Sequence, residues 1–406
     1  MTWQFKKLED ISIRVKDGLH KTPEYVADGV PFISTTNLKP FSKDFNFNSY
    51  EKYISLKSYK ELFKNNKPQK GDVLISKCGT IGVSQLIRTN MDFGIFVGLA
   101  LVTLNKNVLG EYFEYYLHSP YAKTEMNDLC TGTTRKTLAL QAFKKLKVPV
   151  PTLSEQKEII KILDTVFEKI EKAKENAETN LKNSKEIFES YLNDVFEKIR
   201  KNNSIVKFGS VCNFVRGPFG GSLKKSYFVP VGFAVYEQQH AIKNQFSKIR
   251  YFITENKFEE MKRFELKSGD LIMSCSGTMG KIAIVPNNIK KGIINQALLK
   301  LTPKNILNIN YLKHWMESND FQNELIKLSK GAAIKNVASV KILKEIKLPL
   351  PELKKQEEII TIINNLYIKT KKLEEIYNKK LKSLEELKNS ILEKAFKGEL
   401  TKDIYE

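Results

Sequence analysis

The stretch KVPVPTLSEQKEII (Lys147–Ile160) returns 200 residues later as KLPLPELKKQEEII (Lys347–Ile360). The similarity extends in both directions, with offsets of 198 to 200 residues. Self-similarity at a fixed distance indicates a repeated structural unit, so we predict a tandem duplication. The other matching pairs are KLEDIS (Lys7–Ser12) with KFGSVC (Lys207–Cys212), GDVLISKCGTIG (Gly71–Gly82) with GDLIMSCSGTMG (Gly269–Gly280), TGTTRKTLA (Thr131–Ala139) with KGAAIKNVA (Lys330–Ala338), and SYLNDVF (Ser190–Phe196) with SILEKAF (Ser390–Phe396).

The composition is that of a folded, strongly basic protein. At 406 residues the chain is too long for one ordinary compact core, so two or more domains are expected. Hydrophobic residues make up 41% of the chain, which is enough to form folded cores. Lys and Arg number 67 against 46 Asp and Glu, for a net charge of +21. This excess predicts a polyanionic partner, most simply nucleic acid, although a Lys-rich surface from an AT-rich genome would give the same balance.

The cysteines and the first residues indicate a cytoplasmic protein. Cys78, Cys130, Cys212 and Cys275 show neither CxxC spacing nor a nearby histidine cluster, which argues against structural zinc. Isolated cysteines in such a chain favour reduced thiols. The start, MTWQFKKLED, lacks the apolar segment of a signal peptide, and no apolar run reaches the roughly 18 residues of a membrane span. We expect no metal, no cofactor and no membrane partner.

Each copy begins with a part in which short apolar runs alternate with Gly, Pro, Asn and Thr. The runs GVPFIS, GDVLIS and LALVTL are typical of strands. A helical pattern follows in GEYFEYYLHSPYAKTEMNDL (residues 110–129) and in NINYLKHWMESNDFQNELIKL (residues 308–328). This mixture predicts two similar α+β domains, each with a mixed β-sheet and helices, at residues 1–152 and 201–352.

Each copy ends in a long helix, predicted over residues 153–200 and 353–400. Apolar residues recur there at alternating steps of four and three, the heptad spacing of a coiled coil. Thr152 and Glu155 have capping-box spacing, and Gly398 is placed to end the second helix. The heptad pattern continues through Ile187 and Tyr191. The predicted helix-pair and partner interface comprises Ile159, Leu163, Val166, Ile170, Ile359, Ile363, Leu366, Leu373, Leu384 and Leu387.

Chain order determines how the two helices pair. The first helix carries the chain from the first domain to the second, and the second helix can then return along the first. Antiparallel packing is therefore expected, with one domain at each end and a pseudo-twofold axis. At a rise of 1.5 Å per residue, roughly 45 residues span about 65 Å, on the order of two turns of B-DNA. Residues 401–406 are left as a C-terminal tail.

Over nearly its whole length, the chain resembles the specificity (S) subunits of type I restriction–modification systems. The resemblance is carried by the LPxP…LxxQxxII motif that leads into each long helix and by the GDxLxSxxGTxG motif in both copies. The segments YEQQHAI (Tyr236–Ile242) and LEKAFKGELT (Leu392–Thr401) are also similar to segments of such subunits.

The resemblance implies two target-recognition domains, each reading one half of a split, asymmetric site on double-stranded DNA. It implies that the antiparallel helices set the gap between the halves and bind two methyltransferase (M) subunits, directing adenine methylation. Restriction (R) subunits would join this complex. The specificity subunit itself would carry no catalytic centre.

The residues agree with a chain that is not an enzyme. No GxxxxGK[ST] phosphate loop is present, and GTMGKI (Gly277–Ile282) has the wrong glycine spacing. There is no Asn/Asp-Pro-Pro-Tyr/Phe segment of adenine methyltransferases, and SCSGT around Ser276 lacks the first glycine of a nucleophile elbow. His20, His118, His240 and His314 have no metal-ligand spacing. We predict no catalytic residues and no metal site.

DNA contacts are expected on polar loops, because Lys, Arg and backbone amides bind phosphates and forked or amide side chains read bases. ISTTNLKP in the first domain aligns with VYEQQHAI in the second. Their unlike chemistry predicts unlike half-sites, while ordinary polar surface turns are the competing explanation. The predicted DNA-contacting residues are Lys21, Thr35, Thr36, Asn37, Lys39, Lys77, Thr80, Arg135, Lys136, Lys224, Lys225, Glu237, Gln238, Gln239, His240, Ser276, Thr278, Lys335 and Asn336.

Two other functions remain open at this point. A compact nuclease with unrecognised carboxylates would cleave DNA as an isolated chain in the presence of a metal. A coiled-coil assembly protein with incidental, non-specific DNA affinity would show only the salt dependence of counterion release. Two different recognition loops on one scaffold favour the specificity subunit, since a spacer has no need of them.

Overall fold

The computed structural model describes residues 3–46, 52–132, 136–328, 337 and 339–401. The chain divides into two compact units, of which unit 1 comprises Met1–Glu178 and Lys379–Glu406, and unit 2 comprises Thr179–Asn378. Each unit therefore contains one globular part and one half of each long helix. Among the described residues, no helix is both long and apolar enough to cross a bilayer.

The globular part of unit 1 combines two small sheets and a separate two-stranded pair with short helices. Its strands are β1 (Phe5–Lys7), β2 (Ser12–Asp17), β3 (Val30–Ile33), β4 (Tyr53–Ile54), β5 (Val73–Ser76), β6 (Ser84–Leu86), β7 (Gly94–Ile95), β8 (Leu99–Leu104) and β9 (Lys147–Pro149). Its helices are α1 (Leu8–Ile11), α2 (Leu56–Leu62), α3 (Gly110–His118), α4 (Pro120–Asp128) and α5 (Leu140–Phe143), and the long α6 (Leu153–Asn202) follows. One sheet has the antiparallel order β2-β8-β5-β6, and the other has the order β4-β3-β7 with β3 parallel to β7.

Unit 2 repeats this arrangement. Its strands are β10 (Ile205–Lys207), β11 (Cys212–Arg216), β12 (Phe228–Val229), β13 (Phe233–Tyr236), β14 (Tyr251–Ile253), β15 (Leu271–Ser274), β16 (Ile282–Ile284), β17 (Gly292–Ile294), β18 (Leu298–Pro303) and β19 (Lys347–Pro349). Its helices are α7 (Phe208–Val211), α8 (Gln238–Lys243), α9 (Glu255–Glu260), α10 (Ile309–Glu317), α11 (Asn319–Leu328) and α12 (Val340–Leu343), followed by the long α13 (Leu353–Phe396).

The sheet orders show that the two copies share one topology. In unit 2 the antiparallel sheet runs β11-β18-β15-β16, and the second sheet runs β12-β14-β13-β17 with β13 parallel to β17. β1 pairs with β9, and β10 pairs with β19 in the same antiparallel register. The duplication and the α+β fold predicted from the sequence are therefore confirmed.

One inner strand of each four-stranded antiparallel sheet, β5 in unit 1 and β15 in unit 2, is buried on both faces. Side chains alternate across a strand, so Val73 and Ile75 of β5 enter one core while Leu74 enters another. In β15, Leu271 and Met273 enter one core and Ile272 the other. This burial explains why the GDVLIS and GDLIMS runs are continuously apolar rather than alternating.

The glutamine of the repeated motif attaches each long helix to its globular part. Gln156 and Gln356 are fully buried one turn into α6 and α13. The amide oxygen of Gln156 accepts from the N–H of Leu109 at 2.9 Å, and its Nε2 donates to the carbonyls of Asn107 and Pro151 at 2.8 and 3.0 Å. Gln356 repeats these three bonds with the N–H of Asn308 and the carbonyls of Ile306 and Pro351, at 2.8, 3.0 and 2.8 Å.

The long helices pack antiparallel inside unit 1. Near the start of α6, Glu155 contacts Thr401 beyond the end of α13. Further along α6, Glu171 pairs with Lys388 at 3.4 Å. Residue numbers rise on one helix as they fall on the other, as predicted. In unit 2, the ring of Phe188 on α6 lies 5.3 Å from that of Tyr367 on α13.

The buried stripe departs from the predicted heptad positions by about one residue. Phe188 and Leu192 take the places predicted for Ile187 and Tyr191, and Ile187 is 51% exposed. On α13, Leu373 and Leu387 are 38% and 47% exposed. A straight helix drifts by about 20° per heptad relative to a 3.5-residue repeat. Over about four and a half heptads this drift approaches 100°, which is the rotation from one residue to the next in an α-helix. The buried position therefore moves by one residue.

The other predicted interface positions lie closer to the stripe. Ile159, Leu163, Ile170, Ile359 and Ile363 are buried, whereas Val166, Leu366 and Leu384 are half-buried. The exposed Leu373 and Leu387 lie outside the buried stripe. For these two residues, only contact with a partner protein remains a prediction.

The helix ends follow the sequence signals with one exception. The Thr152 hydroxyl accepts from the N–H of Glu155 at 3.3 Å, which is half of the predicted capping box. The Glu155 carboxylate instead accepts from Trp3 Nε1 and Thr401 Oγ1, each at 3.0 Å. Gly398, with a φ of 79°, follows the last turn of α13 as predicted.

Candidate DNA interface

In unit 1, the connector between β7 and β8 joins loops that are far apart in sequence. This unit 1 connector comprises residues 96–99. Three separate segments form hydrogen bonds with its backbone. The connector N–H of Phe96 donates to the Ile33 carbonyl (3.0 Å), while the connector carbonyls of Gly98 and Leu99 accept from the N–H groups of Lys77 (2.8 Å) and Gly18 (3.0 Å). A fourth segment is attached through Leu138, whose N–H donates to Lys77 O at 2.9 Å.

Unit 2 repeats the junction at residues 295–298, the unit 2 connector between β17 and β18. The corresponding bonds run from Asn295 N to Tyr236 O (2.8 Å), from Cys275 N to Ala297 O (2.8 Å), from Gly217 N to Leu298 O (3.0 Å) and from Val337 N to Cys275 O (3.0 Å). The same four loops therefore meet in both units, and they are the loops on which the DNA-contacting residues were predicted.

The recognition loops are short helices rather than open turns. Thr35–Asn37 forms a 3₁₀ helix after β3, and α8 occupies the equivalent place after β13. Thr36 and Lys39 are exposed, whereas Thr35, Glu237, Gln238 and Gln239 are half-buried. Gln239 Nε2 donates to the Glu237 carboxylate at 3.1 Å. Unit 1 therefore offers hydroxyls here and unit 2 offers amides and a carboxylate, a chemical difference suited to different bases.

Asn37 and His240 are internal caps of these helices and do not present free groups. Both are buried, at 2% and 0% exposure. Asn37 Oδ1 accepts from the N–H of Ser34 at 2.9 Å, and its Nδ2 donates to the Asn46 carbonyl at 2.8 Å. His240 Nδ1 accepts from the N–H of Glu237 at 2.9 Å, and its Nε2 lies 3.1 Å from the Lys248 carbonyl. Because their polar atoms are engaged internally, base contact by these two side chains is disfavoured.

The GDxLxSxxGTxG motif builds an exposed loop tip. The Ser76 hydroxyl donates to the Thr80 carbonyl at 2.5 Å and accepts from the N–H of Val83 at 2.9 Å. Ser274 makes the matching bonds to the carbonyl of Thr278 and the N–H of Lys281, at 2.6 and 3.0 Å. The serines thus close the loops, and Thr80 and Thr278 lie exposed at the tips.

The predicted basic residues differ in accessibility. Lys77 is 7% exposed and its ammonium pairs with Asp17, so its charge is neutralised inside unit 1. Lys21, Lys224 and Lys225 are exposed. Lys136 is exposed and bonds Asn127 Oδ1 at 2.7 Å. Ser276 is half-buried. Arg135, Lys335 and Asn336 lie outside the described residues.

Burial favours the neutral form of one histidine and two cysteines in the globular parts. Burial lowers the pKa of His118 to about 4, although its bond to the Ser84 carbonyl opposes this shift. Burial raises the pKa of the Cys212 and Cys275 thiols to about 12. Neither thiol is therefore an activated nucleophile at neutral pH. Within the part of the chain that the structure describes, no group of three or more His, Cys, Asp or Glu side chains could hold a metal ion.

Four residues beside the connectors were not predicted from the sequence. Asp17 and His20 in unit 1 correspond to Arg216 and Phe219 in unit 2, because Gly18 and Gly217 make the same connector bond. The signal was available in the alignment of the copies, where an acidic residue faces a basic one at an offset of 199.

Comparison with known proteins agrees with this geometry. The family described as "Type I restriction modification DNA specificity domain" matches residues 1–180 and 189–383. The EcoBI specificity subunit of Escherichia coli is 32% identical over 143 residues, which are 35% of this chain and 30% of that protein. The EcoKI specificity subunit of E. coli strain K12 is 22% identical over 329 residues, 76% of this chain and 69% of that protein.

Solved structures show the same fold over the whole chain. One, from a study of complex assembly and conformational transition in the type I R-M system, aligns with a TM-score of 0.77 and covers 98% of both chains at 16% identity. The HsdS subunit from Thermoanaerobacter tengcongensis aligns with a TM-score of 0.59, covering 98% of this chain and 97% of that one, also at 16% identity. With the sequence match covering most of its length, the chain belongs to the type I restriction–modification DNA specificity family.

Proposed function

We propose that this chain is the sequence-specific DNA-binding subunit of a type I restriction–modification complex. Each globular part reads one half of a two-part, asymmetric DNA site. The observation that carries this proposal is the pair of identical four-loop junctions bearing unlike side chains. Identical scaffolds with different exposed chemistry suit two related targets that differ in sequence.

The long helices are proposed to fix the gap between the half-sites and to bind two methyltransferase subunits, with restriction subunits joining the assembly. Support comes from the exposed apolar residues on α13, which include Ile362, Ile368 and Leu387 at 52%, 64% and 47% exposure. Apolar side chains left outside the helix pair suit a protein partner. The proposed boundaries are 1–152 and 201–352 for the recognition domains and 153–200 and 353–400 for the helices.

The chain is proposed to direct catalysis by its partners and to perform none itself. The buried Cys275 thiol, whose pKa burial raises to about 12, and the internally bonded His240 at the unit 2 junction support this assignment. The four cysteines are free thiols, which supports a reducing compartment and hence the cytoplasm.

The proposal is tested by selecting duplexes from a randomised library with the complex of this chain and its methyltransferase subunit. The expected enriched sequence has two specified blocks of unlike sequence with a fixed unspecified gap. Enrichment of one continuous block, or of a palindrome, would contradict two different readers. Binding without enrichment would identify a non-specific scaffold.

A further inference from the structure

We infer that Phe219 of unit 2 is a base-contacting, specificity-determining residue, an inference that rests on the proposed function. Phe219 is 67% exposed, compared with 49% for Phe5 and 48% for Tyr121. A single exposed apolar side chain needs no explanation by itself. Its position in the loop junction and the charge beside it are what distinguish this ring.

The backbone places Phe219 at the four-loop junction. Gly217, two residues earlier, donates its N–H to the Leu298 carbonyl of the unit 2 connector at 3.0 Å. A Cβ atom on Gly217 would lie 1.8 Å from the Asn295 carbonyl oxygen, so only glycine lets the segment lie against the connector. The Phe219 segment is thus fixed beside the α8 recognition loop, because Asn295 also bonds Tyr236.

The Arg216 cation lies beside the ring, and it forms no salt bridge within the part of the chain that the structure describes. The Arg216 guanidinium carbon is 5.9 Å from the centroid of Phe219. Arg216 Nε is shielded from solvent and has no hydrogen-bond partner among the described residues. The equivalent of Lys77 in unit 2 is Cys275, and burial raises the pKa of its thiol to about 12, although the charge and hydrogen bond of the neighbouring Arg216 oppose this shift. Unit 1 has an Asp17–Lys77 ion pair at this place, whereas unit 2 has a net positive charge.

These features favour DNA as the occupant. An exposed ring gives apolar contact to a base, for example to the methyl group of thymine. Arg216 behind it, together with the exposed Lys224 and Lys225 on the same segment, attracts the phosphate backbone. A protein partner that buried the ring would also need acidic side chains to compensate this cluster of cations. The phosphates of DNA supply that negative charge themselves.

Unit 1 supplies an internal comparison. His20 corresponds to Phe219, its side chain is 75% exposed, and its Nε2 lies 3.5 Å from Asp17. The same backbone position therefore presents a planar ring in both units, next to the Asp17–Lys77 ion pair in unit 1 and next to Arg216 in unit 2. Substitution at each position should alter a different half of the DNA site.

The test uses the complex of the full chain with its methyltransferase subunit and duplexes carrying the two-part sequence selected by the unaltered complex. We expect Phe219→Ala to weaken binding on the order of tenfold and to relax discrimination at one position in one half-site. Replacing thymine by uracil, position by position, should weaken the unaltered complex at that position and leave the Phe219→Ala complex unaffected there. His20→Ala should alter only the other half-site.

Val231→Ala is the matched control, since Val231 is a 79% exposed apolar residue of the same unit outside the junction; its complex should bind normally. Unchanged affinity and discrimination for Phe219→Ala would overturn the inference. Loss of the methyltransferase subunit from that variant would also overturn it, assigning the ring to a protein interface. If the unaltered complex shows no two-part preference, the proposed function fails as well, which distinguishes the two failures.

Discussion

Replacing Gln356 by Leu removes the side chain that attaches α13 to unit 2. The substitution removes three hydrogen bonds to backbone groups, one buried and two partly buried, at present 2.8, 3.0 and 2.8 Å long. Each such loss costs about 1 kcal/mol or more. Since leucine adds some apolar burial, we expect a net loss of about 2–3 kcal/mol from the free energy of unfolding of unit 2. This corresponds to a roughly 30- to 150-fold shift toward the unfolded state.

The chain provides one tryptophan probe in each unit, Trp3 in unit 1 and Trp315 in unit 2. Urea unfolding of Gln356→Leu is followed by fluorescence in a Trp3→Phe background, which reports on unit 2. The matched variant Gln156→Leu in a Trp315→Phe background should show the same loss in unit 1. Glu357→Leu, at an exposed neighbouring position, should change the free energy by less than about 0.5 kcal/mol. A loss below about 1 kcal/mol for Gln356→Leu would refute the argument that these three bonds attach the helix.

Three further predictions concern recognition, assembly and pH. Replacing Gln238 and Gln239 by Ala should degrade one half-site in a methylation-motif assay while the complex still elutes intact; unchanged specificity would remove both from the site. Replacing Leu373 and Leu384 by Lys should prevent co-purification of the methyltransferase subunit, with a smaller effect on helix pairing because Leu373 is 38% exposed; normal assembly would contradict the docking role of α13. Because burial lowers the pKa of His118 from 6.5 to about 4, the unfolded state binds the proton more readily, so stability is lost as pH falls below 6.5. We expect the free energy of unfolding of unit 1, measured by urea denaturation, to fall by about 1–2 kcal/mol between pH 7 and pH 5. His118→Gln should abolish this part of the pH dependence.

The sequence was sufficient to predict the duplication and the long helices, because both leave periodic signals. Of the heptad positions that it predicts, Ile159 and Leu163 are buried, whereas Ile187 lies outside the buried stripe and is exposed. The error accumulates because a 3.5-residue repeat and a 3.6-residue helix separate slowly along the chain. Each predicted helical patch is also two helices; in the first, Ser119 caps α4 by accepting from the N–H of Ala122 at 3.2 Å.

The DNA-contacting loops were predictable as polar segments, but their convergence was not. The bonds that join them to the connectors are backbone bonds, such as that from Lys77 N to Gly98 O, and carry no residue-type signal. For the same reason Asn37 and His240 looked like base readers. Their chemistry suits adenine or phosphate contact, and only the structure shows that the local caps use it internally.

The central claim is that two equivalent scaffolds with unlike loops read two unlike half-sites and direct methylation there. It is tested most directly by expressing this chain with its methyltransferase subunit and mapping methylated adenines across a genome by single-molecule sequencing. The account predicts one two-part motif with unlike halves and a constant gap, absent when this chain is omitted. A palindromic or ungapped motif, or methylation independent of this chain, would contradict it.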